Sequence, residues 1–172
     1  MILPIVLYGS KILRSKAPDI GRDDNFTELA ENMILTLKNQ QGYGLAGPQV
    51  NVLKNIFIID TTSVNEEGTE PAVKTYFNPE ILDYNTDEVY YNEGCLSIPG
   101  IYEDVIRPDK IEVRYRDENF DVKEETLGGM AARIFQHEYD HLQGILFIDR
   151  LSVLRKKMIN SKLKQIARRS II

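Results

Sequence analysis

The stretch Gln136-His-Glu-Tyr-Asp-His141 constrains this chain more than any other. On a helix, residues four apart lie on one face, so His137 and His141 offer two imidazoles to a single metal ion. Glu138, one step further on, can reach a water held there without itself being a ligand. The two histidines are the only ones in the chain, and both fall inside the motif. Ile134 and Met130 precede His137 by three and seven positions, so this face of the helix looks inward, and buried imidazoles need partners. A helix over residues 130–142, closed by Gly144, is therefore the element the fold has to surround.

Two histidines do not complete a catalytic site, which usually has three protein ligands and one open position. The stretch continues as H-E-x-x-H-x-x-G, the opening of a zinc-protease pattern whose third histidine lies three residues after the glycine. Here that position is Phe147. Downstream, Asp149 is a carboxylate candidate, although it lies beyond the glycine that closes the helix, and no glutamate follows Glu138. A carboxylate from elsewhere in the chain is a second source. The third is Cys95, the single cysteine, in Asn92-Glu-Gly-Cys-Leu-Ser-Ile-Pro99. A thiolate suits zinc or ferrous iron, Gly94 would let the backbone approach, and Pro99 suggests that a strand has just ended. The commoner fate of a lone cysteine is an inert buried thiol. Residue order leaves all three sources open.

The remaining sequence supplies a scaffold. Asn25 begins a capping-box variant with Glu28, and Phe26, Leu29, Met33 and Leu37 then recur at helical spacing. This predicts a helix over residues 25–41, with Gly42 where it stops and a glycine-rich loop after it. Apolar, β-branched or alternating segments predict strands over residues 55–60, 73–77, 88–91, 110–116 and 120–126. Residues 117–119 form a hairpin connection, and residues 61–71 a polar surface loop. Residues 145–148 read as a short extended piece. Ser152 caps a final amphipathic helix with Leu154, Met158 and Leu163 on roughly one side. Strands with few helices between them favour α+β with antiparallel sheets. At 172 residues the expectation is one catalytic domain, 1–172, in which 152–172 is a basic C-terminal helix. One cysteine precludes an internal disulfide and fits a reducing compartment. The N-terminus has no basic region and is broken by Pro4, which makes a poor signal peptide. No window has the length of a membrane span. The expected location is cytoplasmic, with no membrane partner.

Three motifs stand together in one order: Gly42-Tyr-Gly-Leu-Ala-Gly-Pro-Gln49, Glu93-Gly-Cys-Leu-Ser97 and Gln136-His-Glu-Tyr-Asp-His141. With their spacing and the chain length, they closely resemble the peptide deformylases, and the basic tail is similar to the bacterial class that ends in a C-terminal helix. The resemblance implies antiparallel β-sheets packed around a central metal-binding helix, with an N-terminal and a C-terminal helix. It assigns Cys95, His137 and His141 as metal ligands and Glu138 as general acid/base. Gln49 and the backbone N–H of Leu96 are assigned to the oxyanion. It implies removal of the formyl group from N-formylmethionine on nascent chains, with ferrous iron as the usual metal and zinc, nickel or cobalt substituting. Two positions depart from the family pattern. Gly47 replaces a usual alanine, which would loosen the loop, and Tyr43 replaces a small aliphatic residue, which would alter peptide preference.

The chemistry explains such a set. Formamide hydrolysis needs a nucleophile at neutral pH, and a bound metal supplies one by lowering the pKa of its water. That hydroxide attacks the formyl carbonyl, while Glu138 takes a proton and later returns it to the leaving amine. A preorganised oxyanion donor such as Gln49 is worth about 2.7–4 kcal/mol. Met130 and Ile134 would line an apolar pocket for methionine, together with Gly42, Tyr43, Gly44, Tyr91 and Gly94 from neighbouring segments. Glu93 and Asp140, with Arg107 as partner, would fix the metal segment by bonding to its ligands. The rival enzyme reading is a zinc endopeptidase of the H-E-x-x-H type, and the non-enzymatic one a structural Cys-His-His site. Net charge is −5, which argues against DNA. Residues 150–172 carry eight basic side chains and no acidic one, leaving −13 on the first 149 residues. Charge alone favours a solvated helix here. The resemblance adds contact with ribosomal RNA, in which case deleting 152–172 would spare hydrolysis of a short formyl-peptide.

Overall fold

The computed structural model describes residues 1–64 and 70–169. Its order is helix α1 (Thr27–Gln40), strands β1 (Gly44–Ala46), β2 (Ile56–Asp60), β3 (Val73–Tyr84), β4 (Glu88–Cys95), β5 (Ile98–Pro108), β6 (Lys110–Arg116) and β7 (Val122–Gly128), helix α2 (Gly129–Leu142) and helix α3 (Val153–Ala167). Five strands form one sheet in the order β1-β2-β3-β6-β7, and β4 and β5 form a separate two-stranded sheet. Every pairing is antiparallel.

Strand β2, Ile-Phe-Ile-Ile-Asp, is buried along its whole length, because both faces of the sheet are covered and a run without alternation serves both. Ile56 and Ile58 pack with Met33 and Leu37 of α1. Phe57 and Ile59 face the other way, onto Ala132 and Phe135 of α2. Phe57 and Phe135 meet edge to face with centroids 4.9 Å apart, a preferred aromatic geometry. Helix α2 thus lies between the large sheet and the β4–β5 hairpin. The N-terminal segment stitches the layers together: Val6 N–H donates to the Gln49 carbonyl and Tyr8 N–H to the Ser97 carbonyl, both at 2.8 Å.

Several local expectations are corrected. Phe26 holds the N-cap position of α1 without a side-chain cap bond; among the described residues Asn25 accepts only from Thr27 N–H, at 3.3 Å. Gln41, not Gly42, takes the left-handed turn at the helix end, with φ 55°. A Cβ on Gly42 would lie 2.9 Å from Leu37 Cδ1, so its smallness serves packing. The glycine-rich loop contains β1 and a 3-10 turn, Gly47–Val50. Far from loosening it, Gly47 is close-packed: a Cβ there would meet the carbonyl oxygens of Val52 and Lys54 at 2.7 and 2.8 Å. Strands β3 and β4 run on to Tyr84 and Cys95. A strand, β4, does end at Cys95 shortly before Pro99, which itself lies near the start of β5. Strand β5 escapes a periodicity reading because its inward positions include Glu103 and Arg107, both buried, which erases the apolar alternation. Phe120 stands in the turn with φ 64°, so β7 starts at Val122. Phe147–Arg150 is a 3-10 turn where extended chain was expected. The loop expected over 61–71 falls partly outside the described residues.

Ser152 caps α3 as expected, accepting from Arg155 N–H at 3.2 Å. The buried face of α3 is Ile159, Leu163 and Ile166, while Leu154 and Met158 are exposed. The buried three join Val6, Leu7, Leu13 and Ile98 in one core cluster. Among the described residues, no helix is long and apolar enough to cross a membrane.

Candidate metal centre

Helix α2 places His137 and His141 one turn apart, with ring centroids 5.1 Å apart. Cys95 reaches them from the end of β4. The ligand atoms of Cys95, His137 and His141 lie within 4.8 Å of one another, and Cys95 Sγ is 3.3 Å from His141 Nε2. Asp149 is engaged elsewhere: it pairs with Arg14 at 2.5 Å and accepts from Leu146 N–H at 2.9 Å. Phe147, at the position a zinc protease would give to histidine, stacks against the His137 ring at 5.9 Å.

A hydrogen-bond network orients the donors. His137 Nδ1 lies 2.8 Å from Glu93 Oε1. An ionised carboxylate only accepts, so Nδ1 carries the proton and Nε2 keeps a lone pair for a metal. Arg107 donates to both oxygens of Glu93, at 2.7 and 3.0 Å, and to Asp140 at 2.9 Å. Arg150 donates to both oxygens of Asp140 from the far side, at 2.7 and 2.8 Å. The expected partnership of Glu93, Asp140 and Arg107 is thus present, extended by Arg150. Burial alone would raise the Glu93 carboxyl, but hydrogen bonds from His137 and Arg107 overcome it and hold the group well below the usual range.

These residues suit a divalent cation. Thiolate and imidazole are donors that bind zinc and ferrous iron alike. Among the described residues, the buried His141 Nδ1 and Glu138 Oε2 lack a hydrogen-bond partner, which is uncommon and marks sites that handle water, ions or substrate. Burial pushes the Glu138 carboxyl up to about 7, with His137 opposing and Glu93 adding to the shift. A group of that pKa can both take and give a proton at neutral pH.

One cavity of about 530 Å³ opens beside these groups. It is lined by Cys95, His137 and Glu138, by Gln49 and Leu96, and by all seven residues expected for substrate: Gly42, Tyr43, Gly44, Tyr91, Gly94, Met130 and Ile134. His141 lies behind, buried. The Gln49 side chain has a defined orientation. Its Oε1 accepts from Ala46 N–H at 2.8 Å, and its Nε2 donates to Ser97 Oγ at 3.2 Å and towards Cys95 Sγ at 3.5 Å. Leu96 begins the two-residue turn between β4 and β5. Gly94, which lines the cavity, also has no room for a side chain: a Cβ there would meet the Tyr102 ring at 2.5 Å. Sequence reasoning passed over Ser97, Tyr102 and Arg133. Ser97 stood inside a quoted motif, and Arg133 was visible only as a charge between two apolar positions.

Gly44 has no room for a side chain: a Cβ would stand 2.4 Å from Glu138 Oε1. Gly44→Ala should therefore displace the carboxylate and lower turnover on the order of 100-fold, as expected for a misplacement of about 1 Å, with metal content unchanged. Metal analysis beside a turnover assay checks this.

An antiparallel α+β scaffold wrapped on an H-E-x-x-H helix, with a cysteine from a separate hairpin at its histidines, defines a metal-dependent hydrolase. The polypeptide deformylase family model matches residues 2–157. The peptide deformylase of Christiangramia forsetii is 44% identical, over 99% of this chain and 92% of its own. That of Cytophaga hutchinsonii is 42% identical, over 98% and 92%. The solved peptide deformylase of Ehrlichia chaffeensis, in complex with actinonin, superposes with a TM-score of 0.87 at 34% identity, covering 95% of this chain and 96% of that one. The chain belongs to the peptide deformylase family. The endopeptidase reading is not favoured.

Proposed function

We propose that this chain removes the N-formyl group from the N-terminal formylmethionine of nascent polypeptides in a metal-dependent hydrolysis. The observation that carries this is the grouping of Cys95, His137 and His141 beside the buried Glu138 in one cavity. A divalent cation held by these three residues supplies Lewis acidity, bringing the pKa of water towards neutrality. Ferrous iron is our choice for the native ion, with zinc, nickel or cobalt as substitutes, since the donor set suits them.

Glu138 takes a proton from the attacking water and delivers it to the amine as the C–N bond breaks, so that formate and a free N-terminus leave. The Gln49 amide and the Leu96 N–H donate to the carbonyl oxygen as it gains charge. Met130, Ile134 and Tyr91 offer apolar surface to the methionine side chain, and Gly42, Tyr43, Gly44 and Gly94 shape the approach of the peptide. The whole chain, 1–172, acts as one catalytic domain in the cytoplasm. The test is release of formate from formyl-Met-Ala-Ser by protein purified without oxygen, with bound metal measured. Cleavage of an internal peptide bond instead would overturn the reading.

The basic C-terminal helix extends the proposal to ribosomal RNA. Deleting 152–172 is a poor test, because Ile159, Leu163 and Ile166 belong to the core. Of the eight cations in residues 150–172, two are also committed, Arg150 to Asp140 and Arg155 to Glu103. Changing the exposed Lys156, Lys157, Lys162 and Lys164 to glutamate leaves that face intact. Ribosome binding at low salt should fall sharply while hydrolysis of the short peptide stays the same; unchanged binding would remove the ribosome from the proposal.

A further inference from the structure

The three donors come from two separately packed units. Cys95 belongs to the β4–β5 hairpin, which among the described residues no strand ladder joins to the large sheet. His137 and His141 belong to α2, which packs on the large sheet through Ala132 and Phe135. Beyond the backbone bond from Tyr8 to Ser97 and the apolar packing of Ile98, Ile101 and Val105, side-chain bonds run directly between hairpin and helix. His137 bonds to Glu93, Asp140 to Arg107, and Gln136 Nε2 donates to the Pro108 carbonyl at 2.9 Å. Arg133 does more than any of these. Its Nη1 donates to Glu93 Oε2 at 2.7 Å and to the Val105 carbonyl at 2.9 Å, and its Nη2 donates to the Val89 carbonyl at 2.7 Å. One buried guanidinium thus ties α2 to both strands and to the carboxylate that orients His137. Its planar fork suits several fixed acceptors, and its place one turn before His137 puts it on the same helix face.

We propose that Arg133 is a positioning residue for the metal centre, fastening the hairpin that carries Cys95 to the helix that carries the histidines. These bonds engage three of its five N–H donors, and its charge sits 5.8 Å from the Tyr91 ring centroid, beside the cavity both residues line. The proposal rests on the Cys95–His137–His141 reading of the site, and its test separates the two.

Cobalt-loaded wild-type protein, Arg133→Met and Arg133→Lys are compared by the thiolate-to-cobalt absorption band, by the rate of metal loss to a chelator, and by Tm of the metal-free forms. The methionine variant keeps an apolar stem and loses every donor. Metal loss should accelerate by up to about 10–100-fold, the range for outer groups that orient ligands, here through Glu93, and the band should shift. Lysine, which keeps the charge but not the fork, should fall in between. A lowered Tm with wild-type band and off-rate would make Arg133 merely structural and overturn the proposal. If the methionine variant does not fold, the lysine variant decides on the same two readouts. Absence of the thiolate band in the wild type would overturn the reading of the site itself.

Discussion

Glu138→Ala should retain the metal and lose formate release by about 10²–10⁴-fold, the usual contribution of a general acid/base. Glu138 is 3% exposed, and its Oε2 lacks a partner among the described residues. Truncation therefore breaks no hydrogen bond to that oxygen and removes a buried carboxyl from a site where burial already raises its pKa to about 7. Metal content measured beside kcat separates loss of the proton carrier from loss of the site. Full activity in a metal-replete variant would show that another group moves the proton.

Glu93→Ala should act in the opposite sense, on the fold and the metal together. Glu93 accepts from Arg107, Arg133 and His137, with all four side chains largely inside. Removing one partner of a buried ion pair destabilises by about 3–5 kcal/mol, because an uncompensated charge stays behind. Arg107 would keep Asp140 and Arg133 its two carbonyls, which places the effect towards the lower end. His137 would also lose the acceptor on Nδ1, weakening metal affinity by about 10–100-fold. Urea unfolding of the metal-free protein measures the first effect, and chelator competition the second. A variant of wild-type stability would mean that the network is not held together at Glu93.

The site was more legible than the scaffold around it. Spacing placed two imidazoles on one helix face, because helical geometry is local and four residues make about one turn. Cys95 could not be chosen over Asp149 from order alone. In the fold Asp149 is taken by Arg14 and the Leu146 amide, and pairing of β4 with β5 carries Cys95 to the helix. The α3 face was misjudged because Leu154 and Met158 are as apolar as the buried Ile159 and Ile166. Only the neighbouring strand and N-terminal segment decide which side is covered. Strand β5 was missed for the converse reason, since its inward Glu103 pairs with Arg155 and its inward Arg107 with Glu93 and Asp140, and those partners are distant in sequence.

The sequence by itself thus determined what depends on local periodicity and residue chemistry: the H-E-x-x-H helix, its inward face, the apolar β2 strand, the Ser152 cap and the family resemblance. Only the tertiary structure decided what depends on contacts between distant segments: the gathering of a hairpin thiol with two helical imidazoles, the bonds from Arg107 and Arg133 that hold Glu93, and the closeness of Gly44 to Glu138. The physical reason is that backbone geometry sets the first group within one helical turn or one strand. The second arises where separately packed layers meet, and burial there makes each unpaired charge costly enough to select one arrangement.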